Sequence, residues 1–183
     1  MNLILASGSP RRRELLSLYT TDFTVCVSDF DESTVHADTP AQLVEQLARG
    51  KCLAVSAQHP GAVVIGCDTG GDVGGEVFGK PHSTEDAKRM LRALSGATHE
   101  VHTGVCVSDG LRTESFVDSC KVTFFPIPEE EIDAYTATKE PYDKAGAYAI
   151  QGRAALWLDR LEGDYYTIMG LPVSRTARLL GRF

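Results

Sequence analysis

Short apolar runs that end abruptly at polar residues limit the fold of this chain most strongly. Leu3–Ala6 leads directly into Ser-Gly-Ser-Pro, and Ala62–Cys67 leads into Asp68. Runs of this length between such residues are typical of buried strands. Helical periodicity separates the runs, as in Thr84–Leu94. The alternation predicts an α/β fold: a mixed sheet flanked by helices in a single domain over residues 1–183.

Local signals predict where several elements begin and end. Ser9 is suited to cap a helix that starts at Pro10 and runs to about Tyr19. The sequence Thr39-Pro40-Ala41-Gln42 is a capping box that opens a second helix. Two adjacent glycines, Gly74 and Gly75, indicate a tight hairpin. Further strands are predicted near residues 99–107, 112–125, 147–150 and 155–158, and helices are predicted to begin at Pro128 and Pro172.

Composition and charge exclude several classes of protein. No run approaches eighteen apolar residues, and the first residues lack the basic region of a signal peptide, so we expect neither a membrane partner nor secretion. Five scattered cysteines without a Cys-x-x-Cys pair indicate reduced thiols in the cytoplasm. A net charge of -7 argues against nucleic-acid binding. An anionic ligand would therefore need a local cluster of positive groups, helped by a divalent metal.

The segment Ser7–Arg13 is a candidate phosphate site. It lies between a predicted strand and a predicted helix, whose first backbone N–H groups can bind an anion. Arginines in that first turn add charge-assisted donors. Three consecutive arginines cannot share one face, so at least one of them is expected to be solvated. An ordinary capped helix with surface arginines is the competing interpretation.

Asp68 and Lys80 are further candidates. Asp68 follows an apolar strand, where the carboxyl ends of strands form ligand crevices, although a turn residue would look the same. Gly74–Pro81 is one residue short of a phosphate loop, because Pro81 replaces the hydroxyl that coordinates magnesium. We therefore reject that loop, but Lys80 can still meet a phosphate as a point charge.

Gln151 and two histidines carry weaker signals. Gln151 precedes a glycine, where its amide could recognise the edge of a base or simply stabilise a turn. His99 and His102 would point to opposite faces of a strand, so a histidine metal site is not expected.

Taken together and in order, these segments resemble the Maf family of nucleotide pyrophosphatases over nearly the whole chain. The segments that carry the resemblance are Ala6-Ser7-Gly8-Ser9-Pro10-Arg11-Arg12 with Glu14, Lys51, Gly66-Cys67-Asp68-Thr69, Gly79-Lys80-Pro81, Leu94-Ser95-Gly96 with His99, Val101 and Thr103, Asp143-Lys144-Ala145-Gly146 with Tyr148, Ile150-Gln151-Gly152, Gly163-Asp164-Tyr165 and Gly170-Leu171-Pro172. The agreement of so many segments, in order along the chain, makes coincidence an inadequate explanation.

The resemblance implies a fold, a reaction and a site. It implies an elongated two-lobed α/β fold with a central cleft, a divalent metal (Mg²⁺ or Mn²⁺), a nucleoside triphosphate substrate and often a homodimer. The Ile-Gln-Gly form resembles the subgroup that hydrolyses dTTP and UTP to the monophosphate and pyrophosphate. The expected catalytic residues are Asp68, Lys51 and Lys80, the expected substrate-binding residues are Ser7, Arg11, Arg12, Thr69 and Gln151, and the expected metal ligands are Asp68 and Glu32.

One departure from the family pattern leaves alternatives open. Gly70 and Gly71 stand where the family usually carries β-branched residues. Glycine in a strand costs roughly 0.5–1 kcal/mol, so we expect the strand beyond Asp68 to be shorter, bulged or more mobile. A catalytically weak nucleotide-binding regulator of cell division and septum formation is therefore one alternative, and a purine-directed house-cleaning pyrophosphatase is another. Thr167, where many members have Asn, is a milder departure.

Overall fold

A computed structural model describes residues 2–183, and all of its strands belong to one mixed sheet. The strand order is β2-β1-β3-β5-β6-β7, with β4 also paired to β3. Strand β1 is parallel to both of its neighbours, and the other pairings are antiparallel. The strands are β1 (Leu3–Leu5), β2 (Thr24–Val25), β3 (Val63–Val73), β4 (Glu76–Phe78), β5 (Thr98–Ser108), β6 (Thr113–Phe124) and β7 (Leu158–Glu162).

Helices cover the sheet, which confirms the predicted α/β architecture. The α-helices are α1 (Pro10–Leu16), α2 (Pro40–Gln58), α3 (Thr84–Leu94), α4 (Glu129–Thr136), α5 (Tyr165–Met169) and α6 (Val173–Leu180). Short 3₁₀ turns span Glu32–Thr34, Glu140–Asp143, Ala145–Ala147 and Arg153–Trp157. Between residues 2 and 183, no helix combines the length and the apolar character needed to cross a membrane.

Strand β3 has two different partners along one of its edges. Its first residues, 63–65, pair with β1, and its last residues, 71–73, pair with β4. Within the part of the chain that the structure describes, residues 66–70 have a strand partner only on the β5 side. The sheet is therefore split at this edge, and the split exposes the middle of β3.

Helix α2 lies unusually close to the sheet because two strand positions lack side chains. A Cβ at Gly66 of β3 would lie 2.3 Å from the carbonyl oxygen of Ala48. A Cβ at Gly104 of β5 would lie 2.4 Å from the carbonyl oxygen of Val44. Any side chain at either position would have to push the helix away from the sheet.

Hydrophobic clusters on the two sides of the split hold the molecule together. One cluster packs α3 and α4 against the half of the sheet that contains β4, and it includes Phe78, Leu91 and Phe124. A second cluster packs α1 and α6 against the half of the sheet that contains β1, and it includes Leu5 and Leu180. A third cluster lies under α2. The open edge of β3 lies between these halves.

The structure corrects the prediction at the two ends of α1. Helix α1 ends at Leu16 rather than near Tyr19. The Ser9 side chain forms no capping hydrogen bond. At this end of the helix, the Ser9 backbone N–H donates to Ser7 Oγ at 3.3 Å. The Thr39 cap is confirmed, because its hydroxyl accepts from the Gln42 N–H at 3.2 Å.

Two predicted strands are wrong. Residues 147–150 do not form a strand, because the backbone is left-handed at Gly146 (φ 74°) and Ala147 (φ 60°). Residues 155–157 belong to a 3₁₀ turn, and only from Leu158 does the chain pair with β6. Short apolar runs look alike whether they are strands or turns buried by tertiary contacts, and the Ala149 N–H indeed donates to the buried Tyr135 hydroxyl at 3.0 Å.

The expected shortening or bulging of β3 at its glycine pair is also wrong. Gly70 pairs with His102 and Gly71 with Val101, in the same register as the rest of β3 and β5. The strand then continues to Val73 and turns at Gly74 (φ 60°) and Gly75 (φ 90°), which confirms the predicted hairpin. Backbone pairing with β5 therefore compensates for the missing side chains.

Replacing Gly104 by Ala is expected to lower the free energy of unfolding by about 1–3 kcal/mol, because the new methyl group overlaps the backbone of α2. Denaturant unfolding measures the loss. Gly79→Ala is the control, since its Cβ would meet no heavy atom within 4 Å. Equal stability of the two variants would show that α2 is not seated on Gly104.

Candidate functional site

A cleft of about 810 Å³ opens at the split edge of β3. All of the residues predicted from the sequence to form the site line it, although they come from segments far apart in the chain. They are Ser7, Arg11, Arg12, Glu32, Lys51, Asp68, Thr69, Lys80 and Gln151. The geometry brings them together, and their individual roles stay predictions.

Lys51 lies between two carboxylates at the floor of the cleft. Its Nζ is 2.6 Å from Asp68 Oδ1 and 3.0 Å from Glu32 Oε1. Lys51 and Asp68 are each only 15% exposed at the side chain, whereas Glu32 is 55% exposed. The close seating of α2 on the sheet brings Lys51 to this position. Its ammonium compensates for part of the cost of burying Asp68.

Burial raises the pKa of Asp68, and the positive charges of Lys51 and Arg12 oppose this rise. The negative charge of Glu32 adds a smaller upward effect. A carboxylate with a raised pKa is a better proton acceptor than an ordinary aspartate. Asp68 thus combines a negative charge held at the floor of the cleft with increased basicity.

Arg12 is held rigidly by three hydrogen bonds to three different segments. Its Nε donates to the Gly170 carbonyl at 2.9 Å, and its Nη1 donates to Ser7 Oγ at 3.2 Å. Its Nη2 donates to Thr69 Oγ1 at 3.0 Å. A guanidinium carries five N–H donors, so two are left for a ligand. Arg12 is therefore an organising residue of the cleft as well as a source of positive charge.

Arg11 and Arg13 behave differently from Arg12. Arg11 lines the cleft, with its Nη1 3.8 Å from Asp143 Oδ2. Burial lowers the pKa of Arg11, and the nearby Asp143 carboxylate partly restores it. Arg13 is exposed. This distribution confirms that the three consecutive arginines do not share one face.

Lys80 and Gln151 present free polar groups to the cleft. Both are exposed, and among residues 2–183 neither side chain forms a hydrogen bond or an ion pair. The turn that carries Gln151 is fixed from outside the cleft: Glu140 Oε2 accepts the Arg153 N–H at 3.2 Å, and a Cβ at Gly152 would lie 2.0 Å from Glu140 Oε1. Gln151 is thus a free amide on an anchored turn.

The two histidines lie on opposite faces of β5, as the strand spacing predicts. His99 Nε2 shares a 2.7 Å hydrogen bond with the Tyr148 hydroxyl, and burial lowers the pKa of His99 to about 4. His102 Nδ1 shares a 2.7 Å hydrogen bond with Ser119 Oγ. Within residues 2–183, no group of three or more His, Cys, Asp or Glu side chains is placed to hold a metal ion.

Several residues that organise the site were given no role in the sequence analysis. Thr103 of β5 contacts Thr69 at 2.9 Å between the Oγ1 atoms, and Thr103 Oγ1 donates to the Thr167 carbonyl at 2.7 Å. The Gly170 carbonyl anchors Arg12, and Glu140 anchors the turn that carries Gln151. Alternation along the strand could have placed Thr103 on the face of Val101, but only the register between β3 and β5 pairs it with Thr69.

The fold and the site define a class of protein: an α/β domain whose split sheet edge holds a basic cleft around a buried aspartate. The family model described as Maf-like protein matches residues 2–183, and the chain belongs to the Maf family. This confirms the family expected from the sequence motifs.

Relatives in sequence agree with this assignment, and two solved structures share the fold. The chain is 50% identical over 181 residues to the dTTP/UTP pyrophosphatase of Symbiobacterium thermophilum, covering 99% of this chain and 93% of that protein. It is 48% identical over 181 residues to the protein of the same name from Bacillus velezensis, covering 99% and 96%. The Ham1 protein of Staphylococcus aureus shares the fold over 100% of this chain and 99% of that one, with a TM-score of 0.59 and 14% identity. A HAM1 protein from Coxiella burnetii gives a TM-score of 0.55 at 12% identity, covering 100% of both chains.

Replacing Lys51 by Met should raise the pKa of Asp68 further, because the variant lacks the ammonium that stabilises the carboxylate. Replacing Glu32 by Gln should lower it, because a like charge is removed. The Asp68 carboxylate would therefore take up its proton at a higher pH in Lys51→Met and at a lower pH in Glu32→Gln. Carbon NMR titration of the Asp68 carboxyl measures both shifts, with Lys88→Met as the remote control. Shifts in the opposite directions would contradict the assigned electrostatics.

Proposed function

We propose that this chain hydrolyses nucleoside triphosphates, dTTP, UTP and related pyrimidine nucleotides in particular, to the monophosphate and pyrophosphate. The observation that carries the proposal is the convergence of Arg11, Arg12, Lys51 and Lys80 on one cleft around the buried carboxylate of Asp68. Relatives at 45–50% identity that bear the name dTTP/UTP pyrophosphatase support the same reaction.

The cations of the cleft would neutralise the triphosphate. Arg12 and Lys51 are fixed by contacts within the protein, so their charges are preorganised and need no rearrangement during the reaction. Lys80 is free to follow the leaving pyrophosphate as a point charge. Ser7 accepts a hydrogen bond from Arg12 and lines the same cleft, where it would lie beside the phosphates of a bound nucleotide.

Asp68 would orient and deprotonate the attacking water. The water oxygen forms a new bond to the α-phosphorus, the bond from that phosphorus to the bridging oxygen breaks, and pyrophosphate leaves with the bridging oxygen. The proton of the water passes to the Asp68 carboxylate. The raised pKa of Asp68 favours this transfer more than an ordinary aspartate would, whose pKa is about 3.9.

A divalent cation, Mg²⁺ or Mn²⁺, belongs to the proposal. Asp68 and Glu32 offer carboxylate oxygens, the ligands that such cations prefer, and both carboxylates contact the Lys51 ammonium. Sites for Mg²⁺ are commonly built from one or two carboxylates completed by substrate phosphates, so this donor set fits the ion. A bound cation supplies charge neutralisation on the triphosphate and makes a coordinated water more acidic.

Gln151 and Thr69 are the candidates for recognition of the nucleoside. The free Gln151 amide can donate a hydrogen bond to the O4 oxygen of uracil or thymine. Its turn is anchored by Glu140, so the backbone that carries the amide is held in place while the amide itself can rotate toward the base. Arg11, whose Nη1 lies 3.8 Å from Asp143 Oδ2, completes the set of residues proposed to discriminate between substrates.

The proposal also concerns the setting of the protein. Five cysteines without a disulfide within residues 2–183 support a cytoplasmic location. The net charge of -7 supports a small-molecule substrate rather than nucleic acid, and no membrane partner is proposed. The homodimer implied by the family resemblance stays a prediction that sedimentation analysis would test.

The purified protein should release pyrophosphate from UTP and dTTP only with Mg²⁺ or Mn²⁺, and Asp68→Asn should lose most of this turnover while still binding nucleotide. The substitution keeps the shape of the side chain but removes its negative charge. Asp72→Asn, four residues along the same strand, is the matched control and should keep its activity. The measurement is pyrophosphate release across UTP, dTTP, CTP, ITP and XTP, with and without metal.

The outcome of this panel also decides between the proposed function and its alternatives. Faster turnover of ITP and XTP would assign a purine-directed pyrophosphatase. Nucleotide binding without turnover of any substrate would assign a regulatory protein. Full activity of Asp68→Asn would remove Asp68 from the mechanism.

Replacing Gln151 by Glu should reduce kcat/KM for UTP and dTTP roughly ten- to a hundredfold. The carboxylate removes the amide donors and faces the O4 oxygen, and a buried polar group left unpaired costs about 1–3 kcal/mol. Nucleotides that do not use this contact should lose much less, so the ratio between substrates is measured. A uniform loss across UTP, dTTP, CTP and ITP would show that Gln151 only supports its turn.

A further inference from the structure

Three threonines form a hydrogen-bonded chain from the cleft to helix α5. Thr69 Oγ1 and Thr103 Oγ1 are 2.9 Å apart, and Thr103 Oγ1 is 2.7 Å from the carbonyl oxygen of Thr167. A carbonyl oxygen can only accept, so the single hydroxyl proton of Thr103 is donated to Thr167. The direction of the first bond in the chain is thereby determined.

The direction of the second bond follows from the first. Thr103 has no proton left for Thr69, so the hydroxyl proton of Thr69 must be donated to Thr103. One lone pair of Thr69 Oγ1 accepts from Arg12 Nη2 at 3.0 Å. What Thr69 can still offer to a ligand in the cleft is its other lone pair. Thr69 is partly exposed and lines the cleft, so that lone pair is available.

The chain is protected from competing solvent. Thr103 and Thr167 are each 0% exposed, so no bulk water can exchange for either partner. Thr167 is fixed in turn, because its own hydroxyl donates to Asp118 Oδ2 at 2.6 Å. Asp118 is held from the other side by Arg175 Nη1 at 3.0 Å. The carbonyl that takes the Thr103 proton therefore has a fixed position.

We infer that Thr103 is a positioning residue for specificity, which makes Thr69 a hydrogen-bond acceptor, and never a donor, toward the nucleoside. This inference rests on the proposed function. The ligand must then present a donor to Thr69, and UTP and dTTP share two: the N3–H of the base and the 3′-hydroxyl of the sugar. A nucleotide with an acceptor in the same place meets two opposed lone pairs and is disfavoured.

Two analogues of UTP distinguish the two donors. CTP carries a bare N3 in place of N3–H, and 3′-O-methyl-UTP carries an ether oxygen in place of the hydroxyl. The inference predicts that the wild-type protein turns over at least one of them roughly ten- to a hundredfold more slowly than UTP, the size expected for one mismatched polar contact. Equal kcat/KM for all three nucleotides in the wild-type protein would overturn it.

The Thr103→Val variant tests the role of Thr103 in this hydrogen-bonded chain. Valine keeps the shape of threonine but cannot accept a hydrogen bond, so the Thr69 hydroxyl can turn and donate to the ligand. The penalty against the affected analogue should fall at least severalfold relative to wild type, while the penalty against the other analogue stays unchanged. Thr103→Ser, which keeps the hydroxyl, should retain the wild-type ratios. A merely structural role would lower all rates together and leave every ratio unchanged, and that result would refute the inference.

Binding measured by calorimetry with the same three nucleotides separates this inference from the proposed function. Absence of UTP turnover in the wild-type protein counts against the proposed function, and the ratios of Kd then still test Thr103. Good UTP turnover with identical ratios in wild type and Thr103→Val counts against Thr103 alone. Should Thr103→Val not fold, Thr103→Ala, which also removes the hydroxyl, is measured with the same three nucleotides, and wild-type ratios in that variant would refute the inference.

Discussion

The close contact between helix α2 and the centre of the sheet is the constraint on which the rest of the site depends. Gly66 and Gly104 leave room for the helix backbone itself, rather than its side chains, to touch β3 and β5. This approach brings Lys51 to within 2.6 Å of Asp68. A buried carboxylate without a nearby cation would be neutralised or would destabilise the fold, so the two glycines indirectly keep Asp68 ionisable.

The split edge of β3 explains how one strand can serve two sides of the cleft. Successive side chains of a strand point to opposite faces, so Asp68 faces α2 while Thr69 faces the segment around Gly170. In a fully paired sheet, a neighbouring strand beside residues 66–70 would keep the two faces of the sheet apart, and with them these two side chains. Because β1 ends before them and β4 begins after them, both reach the same opening.

The residues of the cleft divide into anchored and free groups, and the division matches their proposed tasks. Arg12, Lys51 and Thr69 are held by short contacts within the protein and form a preorganised floor. Lys80 and Gln151 project without partners within residues 2–183, so they can adjust to a ligand. Charge stabilisation benefits from rigid groups, whereas recognition of a base and release of a product benefit from groups that can move.

The sequence by itself determined the elements whose signals are local. Helix α3 has the predicted bounds, and the hairpin at Gly74 is where the glycine pair indicates it. The motifs identified the family, and all of the site residues predicted from the sequence line the cleft. Only the tertiary structure decided what depends on distant contacts: the turns after Gly146 in place of strands, the unbroken β3 at Gly70, and the pairing of Thr69 with Thr103. The physical reason is that local patterns report the conformational preference of a segment, whereas strand register and burial are set by partners that lie tens of residues away.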